Sequence, residues 1–129
     1  MTKILLIEDE ELVARMYEKA LKFEGYEVAV AFGGKTGLEK VGNFKPDLVL
    51  LDIMMPEPDG IEVLERIKAN PETSPLPVIM LTNLSGKRDA QLALEKGALD
   101  YIVKSKITLS DLAEKIKFHI HEKEKSENK

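Results

Sequence analysis

Four short runs of consecutive apolar residues punctuate the chain: Ile4-Leu5-Leu6-Ile7, Leu48-Val49-Leu50-Leu51, Val78-Ile79-Met80-Leu81 and the weaker Tyr101-Ile102-Val103. None of them alternates apolar with polar. A strand that is apolar on both sides must be covered on both sides, and such strands belong to a parallel sheet between helices. A fifth segment, residues 26–31 (YEVAVA), alternates more and reads as an edge strand. Helical stripes lie between the runs. Val13, Met16, Tyr17, Ala20 and Leu21 follow i, i+3, i+4, i+7, i+8 spacing, and Gly25 stops them. Val63, Leu64 and Ile67 form a shorter stripe that Asn70-Pro71 ends, and Ala90, Ala93 and Leu94 lead to Gly97. Leu109, Leu112, Ala113, Ile116 and Ile120 make the last stripe, with Thr108 or Ser110 as its cap. Residues 36–41 are the weakest helix, interrupted by Gly37 and Gly42. The order is β-α five times over. It predicts an α/β fold, an open, doubly wound five-stranded parallel sheet with helices on both faces.

At 129 residues the chain is one domain with little to spare. The expected division is a domain over 1–122 and a charged, frayed tail over 123–129. Apolar residues at 43% and charged residues at 33% allow both a core and solubility, which excludes a mostly disordered chain. The absence of cysteine excludes disulfides, thiolate nucleophiles and cysteine-based zinc sites. A net charge of −4 and a pI near 5.3 argue against direct DNA binding, which needs a concentrated basic face. No apolar run approaches the ~20 residues that span a bilayer. The opening MTKILLIEDEE lacks a secretory pattern, so the expected location is cytoplasmic, with no membrane partner.

The polar residues immediately after each apolar run carry the chemistry. Glu8, Asp9, Glu10 and Glu11 come after the first, Asp52 after the second, Thr82 after the third and Lys104 after the fourth. Open α/β sheets bind ligands outside the carboxyl ends of their strands, so these residues should meet along one rim. Glu10 and Glu11 read more simply as acids at the start of the next helix. The rest form a set of two or three carboxylates, one hydroxyl and one ammonium. Crowded carboxylates repel unless a cation sits among them. All-oxygen ligands without His or Cys suit Mg²⁺, Ca²⁺ or Mn²⁺, and Mg²⁺ works on phosphates while held by one or two carboxylates. A lysine and a hydroxyl opposite the metal give a transferring phosphoryl group a partner for each oxygen. An aspartate can itself accept that group. The residues therefore point to a Mg²⁺-dependent aspartyl-phosphate site.

From ILLIEDEE through LVLLDIMMPEPDGIEVLERIK and VIMLTN to GALDYIVKS, the sequence resembles the receiver domain of two-component response regulators, including the stand-alone chemotaxis type. That resemblance implies a flavodoxin-like sheet of strand order 2-1-3-4-5. It implies Asp52 as phosphoacceptor, and Mg²⁺ (or Mn²⁺) held by Glu8, Asp9, Asp52 and the backbone carbonyl of Met54. Thr82 is then the hydroxyl that contacts the phosphoryl group and shifts on activation. Tyr101 is the aromatic that moves after it, and Lys104 is the lysine that pairs with the phosphoryl oxygens. The donor is a histidine kinase or phosphotransfer protein. The output is a protein target on the face of the fourth helix, fifth strand and fifth helix. A stand-alone, non-enzymatic regulator is the expectation, with a receiver cut from a longer regulator and an unphosphorylated interaction module as alternatives. Three positions depart from the usual pattern: Glu8 where aspartate is common, Ser105 where a proline usually comes after the lysine, and Pro58 in MPEPDG where methionine is frequent. Met54 and Leu84 lie two residues past Asp52 and Thr82, and neither can orient a water, which predicts slow self-dephosphorylation.

Competing readings fail on particular residues. Gly33-Gly34-Lys35-Thr36 lacks the glycine a P-loop needs at the position of Ala29. A flavodoxin-like electron carrier needs a Ser/Thr/Gly loop where four acids stand. An aspartyl-intermediate phosphatase usually has a second aspartate where Met54 stands. His119 and His121, two apart on a helix, point in different directions and are expected at the surface.

Overall fold

The structure, a computed structural model, describes residues 1–127. Strands β1 (Lys3–Ile7), β2 (Glu27–Ala31), β3 (Leu48–Leu51), β4 (Val78–Thr82) and β5 (Asp100–Val103) alternate with helices α1 (Glu11–Phe23), α2 (Gly34–Phe44), α3 (Gly60–Ala69), α4 (Lys87–Glu95) and α5 (Leu109–Glu127). Every strand pairing is parallel, and the order is β2-β1-β3-β4-β5, as expected.

The strand period of two divides the apolar runs between two cores. Leu5, Ile7, Val49, Leu51, Val78 and Met80 point toward α2, α3 and α4, where Val41, Val63, Leu64, Ile67 and Ala93 meet them. Ile4, Leu6, Leu48, Leu50, Ile79 and Leu81 point the other way, onto Ala14, Tyr17 and Leu21 of α1 and Leu112 and Ile116 of α5. The leucines and isoleucines among them are essentially fully buried, each contributing roughly 1.5–3 kcal/mol. Of the two glycines that weaken α2 as a sequence pattern, Gly37 has a packing purpose, while Gly42 faces open space. A Cβ on Gly37 would lie 2.6 Å from Ile7 Cδ1, so only a bare backbone lets the helix sit this close to β1.

Several details differ from the sequence expectation. Met16 and Leu94, expected on the inward stripes, are exposed, and Ala14, outside its stripe, is fully buried; Ala93 is buried as expected. In α1 the buried positions Ala14, Tyr17 and Leu21 fall three and four residues apart on one face, which leaves Met16 off it. Helix α2 runs Gly34–Phe44, beyond the stretch its stripe suggested. Thr108, not Ser110, caps α5, its Oγ1 accepting the Asp111 N–H at 3.0 Å. The charged stretch from 123 is helical through Glu127, while residues 128–129 lie outside the described residues. Lys and Glu are good helix formers, a Lys123–Glu127 pair at 3.8 Å sits at i,i+4, and Lys123 donates to the Asp47 carbonyl at 3.1 Å. The Lys104–Ser105 peptide is trans, within a 3₁₀ turn over Lys104–Lys106; the cis bond among the described residues is Glu57–Pro58. His119 is tucked against β5, its Nε2 at 2.9 Å from Asp100 Oδ2, while His121 is exposed. No described helix is long and apolar enough to cross a membrane.

Candidate functional site

The backbone delivers the site residues before any side chain contributes. Strand pairing continues one residue past the strand ends: Glu8 N–H donates to Ala31 O and Asp52 N–H to Ile7 O, both at 3.0 Å. Because Ile7 pairs with Leu51, Glu8 and Asp52 leave the sheet side by side. Thr82 pairs with Val103, so Lys104 comes directly onto the same rim. The apolar run fixes each strand, and the first polar residue after it is carried to the carboxyl edge.

The loop after β3 is drawn tightly over Asp52. Gly60 N–H donates to Ile53 O at 3.0 Å, and a Cβ on Gly60 would fall 2.1 Å from the Asp52 carbonyl oxygen. Asp59 caps α3, its Oδ1 accepting the Glu62 N–H at 2.9 Å. Met54 donates its amide to Asp52 Oδ1 at 3.2 Å and leaves its side chain 55% exposed beside the site.

Three carboxylates converge here. Glu8, Asp9 and Asp52 each offer an oxygen, all within 4.8 Å of one another. Glu8 is 1% exposed and Asp52 5%, while Asp9 stands half-buried at the mouth. The Lys104 ammonium bridges the two buried members, bonding Glu8 Oε1 and lying 3.1 Å from Asp52 Oδ2. Glu8 Oε2 accepts the Glu10 N–H at 3.0 Å. Burial pushes the Glu8 carboxyl up from its ordinary value; the Lys104 and Glu10 hydrogen bonds oppose the rise and the charge of Asp52 adds to it. Burial alone would push the Lys104 ammonium down, but the hydrogen bond to Glu8 and the charge of Asp52 outweigh it, so its pKa ends above the usual lysine value. Three carboxylates against one ammonium leave two uncompensated negative charges, with oxygen donors only. That set fits one hard divalent cation such as Mg²⁺.

Thr82 is completely buried at the end of β4, its Oγ1 accepting the Leu84 N–H at 3.4 Å. The Leu84 carbonyl in turn accepts the Tyr101 hydroxyl at 2.7 Å. Thr82, Leu84 and Tyr101 are therefore linked through one short loop. The sequence placed Glu8, Asp9, Asp52, Thr82 and Lys104 at the rim, and that is where they stand. It did not show that Lys104 reaches Glu8 as well as Asp52, nor the Tyr101–Leu84 bond. The one signal for the first was the extra methylene of Glu8.

A five-stranded parallel sheet that presents acids, a hydroxyl and a lysine at its carboxyl edge defines a doubly wound α/β protein with an acidic rim suited to a hard cation. The chain belongs to the response regulator receiver domain family, whose model matches residues 4–117. It is 44% identical over 104 residues to the response regulator ArlR of Staphylococcus saprophyticus, covering 81% of this chain and 46% of that one. It is 40% identical over 102 residues to the response regulator PleD of Caulobacter vibrioides, covering 79% of this chain and 22% of that one. The chain thus spans less than half the length of these curated relatives. Among solved structures, a CheY-like receiver domain protein from Methanospirillum hungatei superposes with TM-score 0.90 at 33% identity over 98% of both chains. The chemotaxis protein CheY4 of Vibrio cholerae gives 0.85 at 26% identity over 91% of this chain and 97% of that one.

Proposed function

We propose that Asp52 is the phosphoacceptor of a two-component relay. The donor is a phosphohistidine on a histidine kinase or phosphotransfer protein. One Asp52 oxygen bonds phosphorus as the donor's P–N bond breaks; the bond pair stays on the departing nitrogen, and the donor ring, already protonated on its other nitrogen, leaves as neutral imidazole. The acidic trio and the Met54 backbone carbonyl would hold Mg²⁺, with Mn²⁺ able to substitute. When bound, the ion neutralises charge on the phosphoryl oxygens. Lys104 stays charged by virtue of its two carboxylate partners and supplies a second cation to those oxygens. Thr82 offers its hydroxyl to the third oxygen. Moving Thr82 disturbs the Leu84 amide it bonds and hence the Leu84 carbonyl that holds Tyr101. The face of α4, β5 and α5 is thereby biased between two packings, which a protein target in the cytoplasm reads. Met54 and Leu84 give no water an orienting group, so the phosphoryl group is lost slowly. The chain performs only its own phosphorylation and dephosphorylation.

The observation that carries this reading is the Lys104 ammonium bridging two buried carboxylates next to an acid that has no side-chain bond of its own among the described residues. The test is labelling with a small phosphodonor and Mg²⁺. Wild type is expected to label and Asp52→Asn to show none. Mg²⁺-dependent labelling that persists in the variant would move the acceptor elsewhere.

A further inference from the structure

Lysines such as Lys22, Lys96 and Lys104 face carboxylates. Lys68 does not. It lies half-buried on the last turn of α3, beside the amino end of β4 and away from the rim. It donates to two backbone carbonyls, Ser74 O at 2.9 Å and Leu76 O at 2.6 Å, and to no carboxylate among the described residues. Its stem is held as well: a Cβ on Gly97 would come within 3.1 Å of Lys68 Cγ and 3.4 Å of Cε, so the stem passes close over a bare backbone. The nitrogen is therefore fixed in place, and its third N–H has no protein acceptor among the described residues. Deprotonation removes that unbonded proton and leaves the lone pair in its position, while both bonds to carbonyls remain. Burial without a carboxylate to offset it holds the pKa below the usual lysine value, so the neutral form is enriched at any given pH. A desolvated lysine amine of this kind is a nucleophile.

We propose that Lys68 is a modification site: an activated acyl donor of the thioester class acylates its ε-amine, and the acyl group loosens the connection from α3 to β4. Nothing in this depends on phosphorylation of Asp52. The lone pair attacks the thioester carbonyl, a C–N bond forms, and the C–S bond breaks with its pair on sulfur. The nitrogen gives up one proton to the departing thiolate, which leaves as thiol, and nothing is oxidised or reduced. The product amide keeps a single N–H and no charge. One of the Ser74 and Leu76 carbonyls then loses its donor, just before β4 begins.

The test is partial acetylation of the folded wild-type chain by acetyl-coenzyme A in mildly alkaline buffer, read lysine by lysine by peptide mass spectrometry. Lys35, Lys87 and Lys117, exposed and without ion pairs among the described residues, serve as internal standards. Lys68 is expected to react at least fivefold faster than each of them, and the advantage should vanish when the chain is unfolded in urea. An advantage below fivefold, or one that survives unfolding, overturns the assignment. The singly modified fraction, separated by ion exchange and mapped to Lys68, tests the consequence by hydrogen exchange. The Leu76 amide, bonded to Thr73 O at 2.9 Å, is expected to exchange at least threefold faster than in the unmodified chain. A smaller change overturns the loosening.

Discussion

Lys68 shows how a single side chain can stabilise a loop at an electrostatic cost. Its stem lies against Gly97, and its ammonium donates to the carbonyls of Ser74 and Leu76, at 2.9 and 2.6 Å, pinning the connection from α3 to β4. No carboxylate pairs with it among the described residues, and burial depresses its pKa below the usual lysine value. Between the lowered folded value and the unfolded one the unfolded chain binds more protons, so stability from this group rises with pH in that window. The neutral amine still donates to both carbonyls, so the bonds survive deprotonation. Lys68→Met should cost about 1–3 kcal/mol at neutral pH, through two carbonyls left without a donor. Its deficit relative to wild type should widen as the pH climbs toward the ordinary lysine range, measured by urea unfolding at stepped pH.

At the scale of elements, two glycines face different obstacles. A side chain on Gly37 meets the Cδ1, Cγ1 and Cγ2 atoms of the buried Ile7, while one on Gly60 meets the backbone of Asp52 and Ile53. Overpacking a core costs about 1–3 kcal/mol, and a helix interior returns roughly 1 kcal/mol when glycine becomes alanine. Gly37→Ala should therefore cost up to about 2 kcal/mol as the buried Ile7 side chain and α2 shift to make room, whereas Gly60→Ala, with no side chain to yield, should cost more than the ~3 kcal/mol upper end of core overpacking. It should also disturb the amide signals of residues 52–54. Thermal melts and NMR spectra of the pair would check this. These packing demands also explain what the sequence conceals. The strands were legible because their apolar runs end at a polar residue that the rim requires. The helix phases were less so: in α1 both Ala14 and Met16 fit a helical stripe with Tyr17 and Leu21, and which of them faces inward is settled by how the helix lies on the sheet. Site positions were legible for the same reason as the strands. Their side-chain partners were not, because whether Lys104 meets one acid or two depends on rotamers and on the relative height of strands far apart in sequence.

For the molecule as a whole, the rim is an electrostatic imbalance carried by a well-buried frame. Two uncompensated negative charges lie within a few ångströms, and Asp9 has no side-chain bond among the described residues to offset them. A cation that binds only the folded chain stabilises it by about 2.7 kcal/mol at a hundredfold excess over Kd. Wild type should therefore melt at higher temperature with Mg²⁺ than with chelator. Asp9→Asn should start from a higher melting temperature in chelator, by roughly 4 °C for each ~1 kcal/mol of relieved repulsion, and should lose most of the Mg²⁺ increment. A variant whose melting point stays Mg²⁺-responsive would argue against Asp9 as a principal ligand. The ladder bonds that run one residue beyond β1 and β3 add a constraint on any signal that starts here. With the main chain of positions 8 and 52 tied to its neighbours, the proposed esterification of Asp52 would find its most yielding outlet in side chains, along the hydrogen-bonded link from Thr82 through Leu84 to Tyr101.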